Sequence, residues 1–260
     1  GIPTVHPLHD LDPHSGAGYG ALLRPWNWLV ARGASHVLVH GECYRRRLLG
    51  WGLPHEQVTC APLLHLFLGN EAMRQAPAWA EAVTYEPWAL FFGRIEKYKG
   101  VRQLIEACAS MDGDDRSAPS VVIAGKGDAS SLWDGPLPAR LELRNRLIED
   151  DEAVDLFTRC SLLVLPYLDA TQSALIAAAY YFYKPVIVTR AGALPEYVQE
   201  GVTGYVVEPG DPGALSRRLS ELLGDPARAA QMGAAGRAWY DAQRAQEEQT
   251  LIQMYQRLAA

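Results

Sequence analysis

The feature that most constrains this chain is its alternation of short, β-branched apolar runs with longer segments of helical periodicity, the two joined by turns rich in glycine and proline. HVLVHGE (36–42), QVTCAPLL (57–64), WALFFGR (88–94), SVVIAGKGD (120–128), SLLVLPY (161–167), KPVIVTR (184–190) and GYVVEP (204–209) read as strands. Helices are predicted at about 20–32, 43–50, 99–112, 151–159, 172–183, 212–223 and 226–260. A strand followed by a helix re-enters its sheet in the same direction, so the pattern predicts α/β layers with mostly parallel strands. Weaker signals add a short strand at 2–8, a linker and surface helix over 69–87, a loop at 131–140, a strand with a loop at 141–148, and a loop with a short helix at 192–201.

Length and charge narrow the function. At 260 residues the chain is one large or two ordinary domains. A net charge of −6 argues against a nucleic-acid partner, which calls for a basic face. Cys43, Cys60, Cys108 and Cys160 are far apart and lack zinc-ligand spacing, so they read as buried, reduced thiols in a cytoplasmic protein. No apolar run reaches the roughly 18 residues that span a bilayer. The first residues lack a signal-peptide pattern. The chain opens on Gly1-Ile2-Pro3 without a methionine, which suggests a longer or processed protein.

The densest chemistry lies in FFGRIEKYKGVRQL (91–104), a strand, a turn and a helix start. Gly93 lets backbone approach a ligand closely. Arg94 can fork onto a phosphate and Lys99 can add a point charge. The helix after Gly100 offers free N–H groups and a positive dipole end. A diphosphate suits this place, and a solvated basic loop is the alternative. GKGD (125–128) lacks the full GxGxxG of a dinucleotide fold and sits mid-chain.

Four segments in order resemble the retaining glycosyltransferases of family 4: FFGRIEKYKGVRQLIEA, VVIAGKGD, SLLVLPY with the helix and KPVIVT after it, and GALPEYVQEGVTGYVVEPGD. LHDLDPHSG (8–16) is similar to that family's histidine–aspartate loop. The resemblance implies the GT-B fold, two Rossmann-like domains across a cleft, with the N-terminal one incomplete here. The implied division is residues 1–80 as the second half of the acceptor-side domain, 81–235 as the donor-binding domain, and 236–260 as a helix returning to the first. A half-sheet of this kind would leave an exposed edge strand and an apolar patch.

The resemblance also implies transfer of a sugar from a nucleotide-diphosphate donor, with retention, in polysaccharide or glycolipid assembly. No metal or other cofactor is implied, and the acceptor is a carbohydrate or lipid-linked, with peripheral membrane association as one consequence. By motif, Arg94 and Lys99 form the diphosphate clamp and Gly93 admits the ligand. His9 and Asp10 match the histidine–aspartate loop, where the histidine faces the transferring sugar; a loop histidine packed near Pro13 is the alternative. Gly125 and Gly127 line the nucleotide or simply make a tight turn. Arg146, Leu147 and Ile148 hold the base or form an edge strand. Thr171, Gln172 and Ser173 open a helix that can hold phosphate. Glu196 binds ligand or caps a helix. One departure stands out: the two glutamates of the family's Glu-x7-Glu pattern fall on Ala170 and Ala178. That leaves open a degenerate, non-catalytic relative that binds a nucleotide or a partner protein.

Overall fold

The computed structural model describes residues 2–11, 20–66, 83–111, 120–128, 133 and 135–259. Most of the linker and helix expected at 69–87 lies outside these, as do residues 12–16 of the histidine–aspartate loop and part of the 131–140 loop.

The described elements form two parallel sheets. The first holds β1 (Val5–Pro7), β2 (His36–Val39) and β3 (Val58–Cys60) in that order, with α1 (Gly20–Gly33) and α2 (Glu42–Gly50) as crossovers. The second holds β4 (Glu86–Phe92), β5 (Val121–Ala124), β6 (Leu141–Arg144), β7 (Cys160–Leu165), β8 (Val186–Thr189) and β9 (Gly204–Val207). Its spatial order is β6-β5-β4-β7-β8-β9, with every pair parallel. The chain winds outward from β4 to β6, returns to β7 beside β4, and winds outward the other way. This is the doubly wound order, and its switch point lies between β4 and β7.

Both strands at the switch point are buried through their middles, Ala89–Phe91 and the whole of β7. That explains why they read as continuous apolar runs rather than alternating ones: helices cover both faces of the sheet. Helix α3 (Val101–Ala109) follows β4, α4 (Asp150–Arg159) precedes β7, and α5 (Ala174–Tyr181) follows it. Helix α5 reads ALIAAAYY and buries Ile176 through Tyr180. A helix apolar all round must be covered on both sides, and its outer cover is α7 (Pro226–Ala259), which follows α6 (Pro212–Gly224). Glycine permits the close approach. A Cβ on Gly236 would stand 2.3 Å from the Tyr180 ring, and one on Gly233 would stand 1.8 Å from the Tyr183 carbonyl.

Helix α7 passes residue 236, the boundary expected from sequence, without a break. Its far end buries Met254 and, with Arg257 and Leu258, lines a cleft with Ser35, His36, Glu56 and Gln57 of the first sheet's neighbourhood. Lys184, at the entry to β8, is wholly buried. Its Nζ donates to the Thr84 carbonyl and sits 4.2 Å from the centroid of the Tyr85 ring.

Of the four cysteines, Cys108 and Cys160 are buried as expected, but Cys43 and Cys60 are only partly so; all four are free thiols. Cys43 and Cys60 flank the junction between the sheets, where cover is thinner than inside the second sheet. Burial pushes their thiols up to about 12.

Helix α1 buries Asn27 and Ala31, while Leu22, Trp26 and Leu29 on another face are 73%, 62% and 59% exposed. Spacings of four and three residues place these three side chains in one stripe.

Candidate functional site

The C-terminal end of β4 runs into Gly93, whose φ is +117°, a conformation that side-chain-bearing residues avoid. Its N–H donates to the Ala124 carbonyl at 2.9 Å, tying the turn to β5. A Cβ here would meet Leu175 Cδ1 and Lys99 Nζ, each at 3.8 Å, an ordinary contact. The backbone conformation demands glycine at this position, and Lys99 and Leu175, in the first turn of α5, stand over it.

Gly125 and Gly127 answer a different demand. A Cβ on Gly125 would fall 1.9 Å from the Gly93 carbonyl oxygen, and one on Gly127 would fall 2.1 Å from that of Ile95. The loops after β4 and β5 press together, with Ile95 bridging to Gly127. Loop packing requires these two glycines whether or not a nucleotide lies nearby.

Residues 97–99 form a 3-10 turn that ends on Gly100, at φ +66°. A Cβ on Gly100 would overlap the Pro166 carbonyl oxygen at 1.8 Å. The Leu168 N–H donates to the Tyr98 carbonyl at 2.7 Å. The turn after β4 is therefore strapped to the segment leaving β7, across the switch point. Lys99 reaches back along this strap, and its Nζ donates to Tyr167 Oη at 2.9 Å. Burial, with the nearby Arg94 charge, lowers the Lys99 ammonium to about 8. Arg94 is 74% exposed and pairs with Glu96 at 3.0 Å. Of the two cations expected to act together, one is held inside the strap and the other reaches solvent.

The first turn of α5 opens on the same side, because α5 follows β7. Ser173 caps it, accepting from Leu175 N at 3.4 Å. Thr171 Oγ1 donates to Asp10 Oδ1 at 3.0 Å, joining the loop of the first sheet to the second. The Oε1 of Gln172 is buried with no hydrogen-bond partner among the described residues. Ala170 and Ala178 belong to the hydrophobic core, so the two positions that carry glutamates in the resemblance are apolar here in surroundings as well as in identity.

The first sheet also contributes its C-terminal edge. His9 is exposed and stacks on the buried His40, ring centroids 5.1 Å apart. Burial lowers the His40 imidazole, and its Nδ1 lies 3.0 Å from the Ala61 carbonyl. A carbonyl only accepts, so Nδ1 carries the proton.

Glu196 resolves between its two sequence readings. Its carboxylate accepts from the backbone N–H groups of Glu42 at 2.5 Å and Cys43 at 2.8 Å. It thus caps α2 from the opposite sheet, occupying orphan donors at a positive helix end. Tyr197 beside it donates to the His40 carbonyl at 2.5 Å and accepts from Leu63 N at 2.8 Å. Tyr44 Oη donates to the Ala170 carbonyl at 3.2 Å.

At the other edge of the second sheet, Arg146 is spent on Glu152, with contacts of 2.6 and 2.7 Å. Arg144 joins the same carboxylate at 3.0 Å. Leu147 is 68% exposed and Ile148 packs on the core. Their backbone groups stand beyond the C-terminal end of β6.

Sequence reasoning missed Tyr167, Tyr197 and Tyr44. Each uses its hydroxyl across an element boundary, and no local spacing records such a contact. The one signal available was Tyr167 itself, a polar-tipped residue closing an apolar strand at its C-terminal end.

Residues 86–225 match the family described as glycosyl transferases group 1. The chain belongs to this family. Among relatives of the group 1 glycosyltransferase, the D-inositol 3-phosphate glycosyltransferase of Streptomyces avermitilis is 30% identical over 158 residues, covering 56% of this chain and 34% of that protein. The chain thus spans about a third of that relative's length. Solved structures agree on the fold. Sucrose-phosphate synthase from Thermosynechococcus elongatus superposes with a TM-score of 0.72 at 23% identity, covering 98% of this chain and 67% of the other. Anabaena HepE in complex with UDP-glucose gives 0.69 at 18% identity, covering 98% and 72%. At such identities these likenesses speak for architecture alone: the group 1 chain has a GT-B-like α/β fold with parallel sheets.

Proposed function

We propose that this group 1 family member transfers a sugar from a nucleotide-diphosphate donor to a carbohydrate or lipid-linked acceptor, with retention, in polysaccharide or glycolipid biosynthesis. One observation carries the reading. Gly93, Arg94 and Lys99 converge with the first turn of α5 at the switch point between β4 and β7, the crevice where open parallel sheets bind their ligands.

The chemistry follows from the geometry. A departing nucleoside diphosphate gathers negative charge as the glycosidic bond breaks. Preformed donors aimed at that charge lower the barrier without reorganising. Lys99 supplies an ammonium inside the crevice and Arg94 a guanidinium at its rim. The first turns of α3 and α5 add N–H groups and positive dipole ends. His9 and Asp10, at the edge of the first sheet, stand on the sugar and acceptor side. The UDP-glucose complex of HepE, a structural neighbour, supports a nucleotide-sugar donor of this class. No helix among the described residues is long and apolar enough to cross a membrane, so a lipid-linked acceptor would be met at the membrane surface.

A second reading rests on Ala170 and Ala178. With both positions inside the hydrophobic core, the chain lacks two carboxylates that the family resemblance assigns to donor recognition, which suits a relative that binds a nucleotide without turnover.

Titration with UDP, GDP and ADP, followed by calorimetry and thermal shift, tests the first reading. One nucleotide should bind. Arg94→Ala and Lys99→Ala should each weaken it by about 10-fold or more, the loss of a charge-assisted contact, with little change in Tm for the exposed Arg94. Failure of all three nucleotides would sink the donor site. Binding without sugar transfer or donor hydrolysis would favour the second reading.

A further inference from the structure

We propose that Tyr167 is the positioning residue for Lys99, holding its ammonium beside Gly93 where the donor's phosphates would lie. The inference deepens the proposed function and rests on it for the identity of the ligand.

The phenol is itself fixed from several directions. Tyr167 is buried at 2% exposure and meets Tyr98 edge-on, at a centroid separation of 6.4 Å. Its carbonyl accepts from Thr189 Oγ1 at 2.5 Å. The residues on either side are strapped to the 98–100 turn, Pro166 by contact with Gly100 and Leu168 by its N–H to Tyr98. Ser173, the cap of α5, stands close enough to the phenol to act on its ionisation. Lys99 meets this anchor twice, through the 2.9 Å hydrogen bond and through the ring face, whose centroid is 4.5 Å from Nζ.

A lysine has four rotatable side-chain bonds and three donors. Tyr167 takes one donor and leaves the others for an oxyanion. Burial raises the phenol's ionisation above its ordinary value, so it stays neutral. A neutral acceptor orients the ammonium without cancelling its charge, whereas a carboxylate in the same place would compete with the diphosphate. The charged and titratable groups around the ammonium are Arg94, Glu96 and Tyr98 from its own loop and Tyr167 from the facing one. Arg94 opposes the charge and Glu96 favours it.

The chain has only four lysines, Lys97, Lys99, Lys126 and Lys184. Carbon-13 NMR of the lysine ε-methylenes can therefore follow Lys99 directly, with Lys99→Arg providing the assignment. In wild type its titration midpoint should lie near 8. In Tyr167→Phe, which keeps the ring and removes the acceptor, the midpoint should fall by about half a pH unit or more, while that of Lys184 stays put. UDP affinity should drop about 3- to 10-fold, with its alkaline limb moved to lower pH, and uridine should bind both proteins alike.

An unmoved Lys99 midpoint in Tyr167→Phe overturns the proposal, as does parallel movement of Lys99 and Lys184, which would mean general loosening. If Lys99 moves but wild type binds no nucleotide, Tyr167's hold on Lys99 stands and the donor-site reading falls. If UDP binds wild type and Tyr167→Phe identically at every pH, the donor-site reading stands and the positioning role falls.

Discussion

The two sheets of this molecule solve the same packing problem with unequal means. The second has six strands in doubly wound order, apolar strands at its centre, and helices on both faces. The first has three short strands among the described residues and a helix, α1, that shows Leu22, Trp26 and Leu29 to solvent. Several of the first sheet's hydrogen bonds come from across the cleft. Glu196 and Tyr197 bond to α2, His40 and Leu63; Tyr44 bonds to Ala170; and α7 carries Met254 and Arg257 over to its flank. The second sheet is held by its own deep core, whereas the first adds to its own buried Val37, Val39 and Leu48 a set of hydrogen bonds that reach it from the second. In the proposed function, the nucleotide side is then built on a rigid frame and the acceptor side on one that depends on cross-cleft contacts.

That asymmetry can be broken most sharply at the strap. Gly100→Ala forces a Cβ into the Pro166 carbonyl at a positive φ. It should cost about 3 kcal/mol or more in urea-induced unfolding. A loss under about 1 kcal/mol would mean that the switch-point loops yield and the frame is not rigid.

A pH scan of wild type against a Lys184 variant probes the second sheet. Burial depresses the Lys184 ammonium to about 8 in the folded protein, from 10.5 for an ordinary lysine. Between those values the unfolded chain binds more protons at this group, so the Lys184 contribution to stability should rise as pH climbs from about 8 towards 10.5 and level off below 8, by a few kcal/mol at most. It is read as wild type minus Lys184→Met, because the raised thiols pull the other way above pH 9. Lys99, similarly lowered, adds to the same slope. Lys184→Met should flatten the rise measured by unfolding at each pH, and an unchanged slope would remove Lys184 as its source.

Tyr197→Phe sharpens the comparison from the other side. It removes the donor to the His40 carbonyl and the acceptor for Leu63 N, at about 1–3 kcal/mol. Hydrogen exchange should quicken in β2 and α2 and hold steady in β4 and β7. Equal quickening in both sheets would contradict the dependence of one on the other. The smallest effect belongs to Trp26→Ser, which alters a side chain already 62% exposed. Stability should stay within about 0.5 kcal/mol, while binding of an apolar dye falls. A loss of more than about 2 kcal/mol would show that Trp26 has packing partners.

Much of this was legible in the sequence because it is written locally. β-branched runs ended by glycine announced the strands of both sheets, and FFGRIEKYKG announced a turn that opens on glycine. ALIAAAYY has no i, i+3, i+4 polar face, in keeping with its burial from Ile176 to Tyr180. The candidate site was legible only in part. Arg94, Lys99 and Gly93 share one turn, so a single segment brings them together. Glu196 was left between ligand and cap because its partners, Glu42 and Cys43, lie more than 150 residues away. Gly125 and Gly127 pointed to a nucleotide as readily as to a tight turn, since close backbone approach looks the same in sequence whether the visitor is a ligand or another loop.

The sequence by itself determined the class of fold, the direction of the strands, the family, and the loop that carries the cations. These depend on hydrophobic period and on residues within one turn of each other. Only the tertiary structure decided that Lys99 is held by Tyr167 while Arg94 is exposed, that Glu196 caps α2, and that Tyr44 and Tyr197 bond one sheet to the other. Those outcomes rest on contacts between segments that chain spacing does not relate. Their strength comes from burial, which a residue acquires only when the rest of the chain has folded around it.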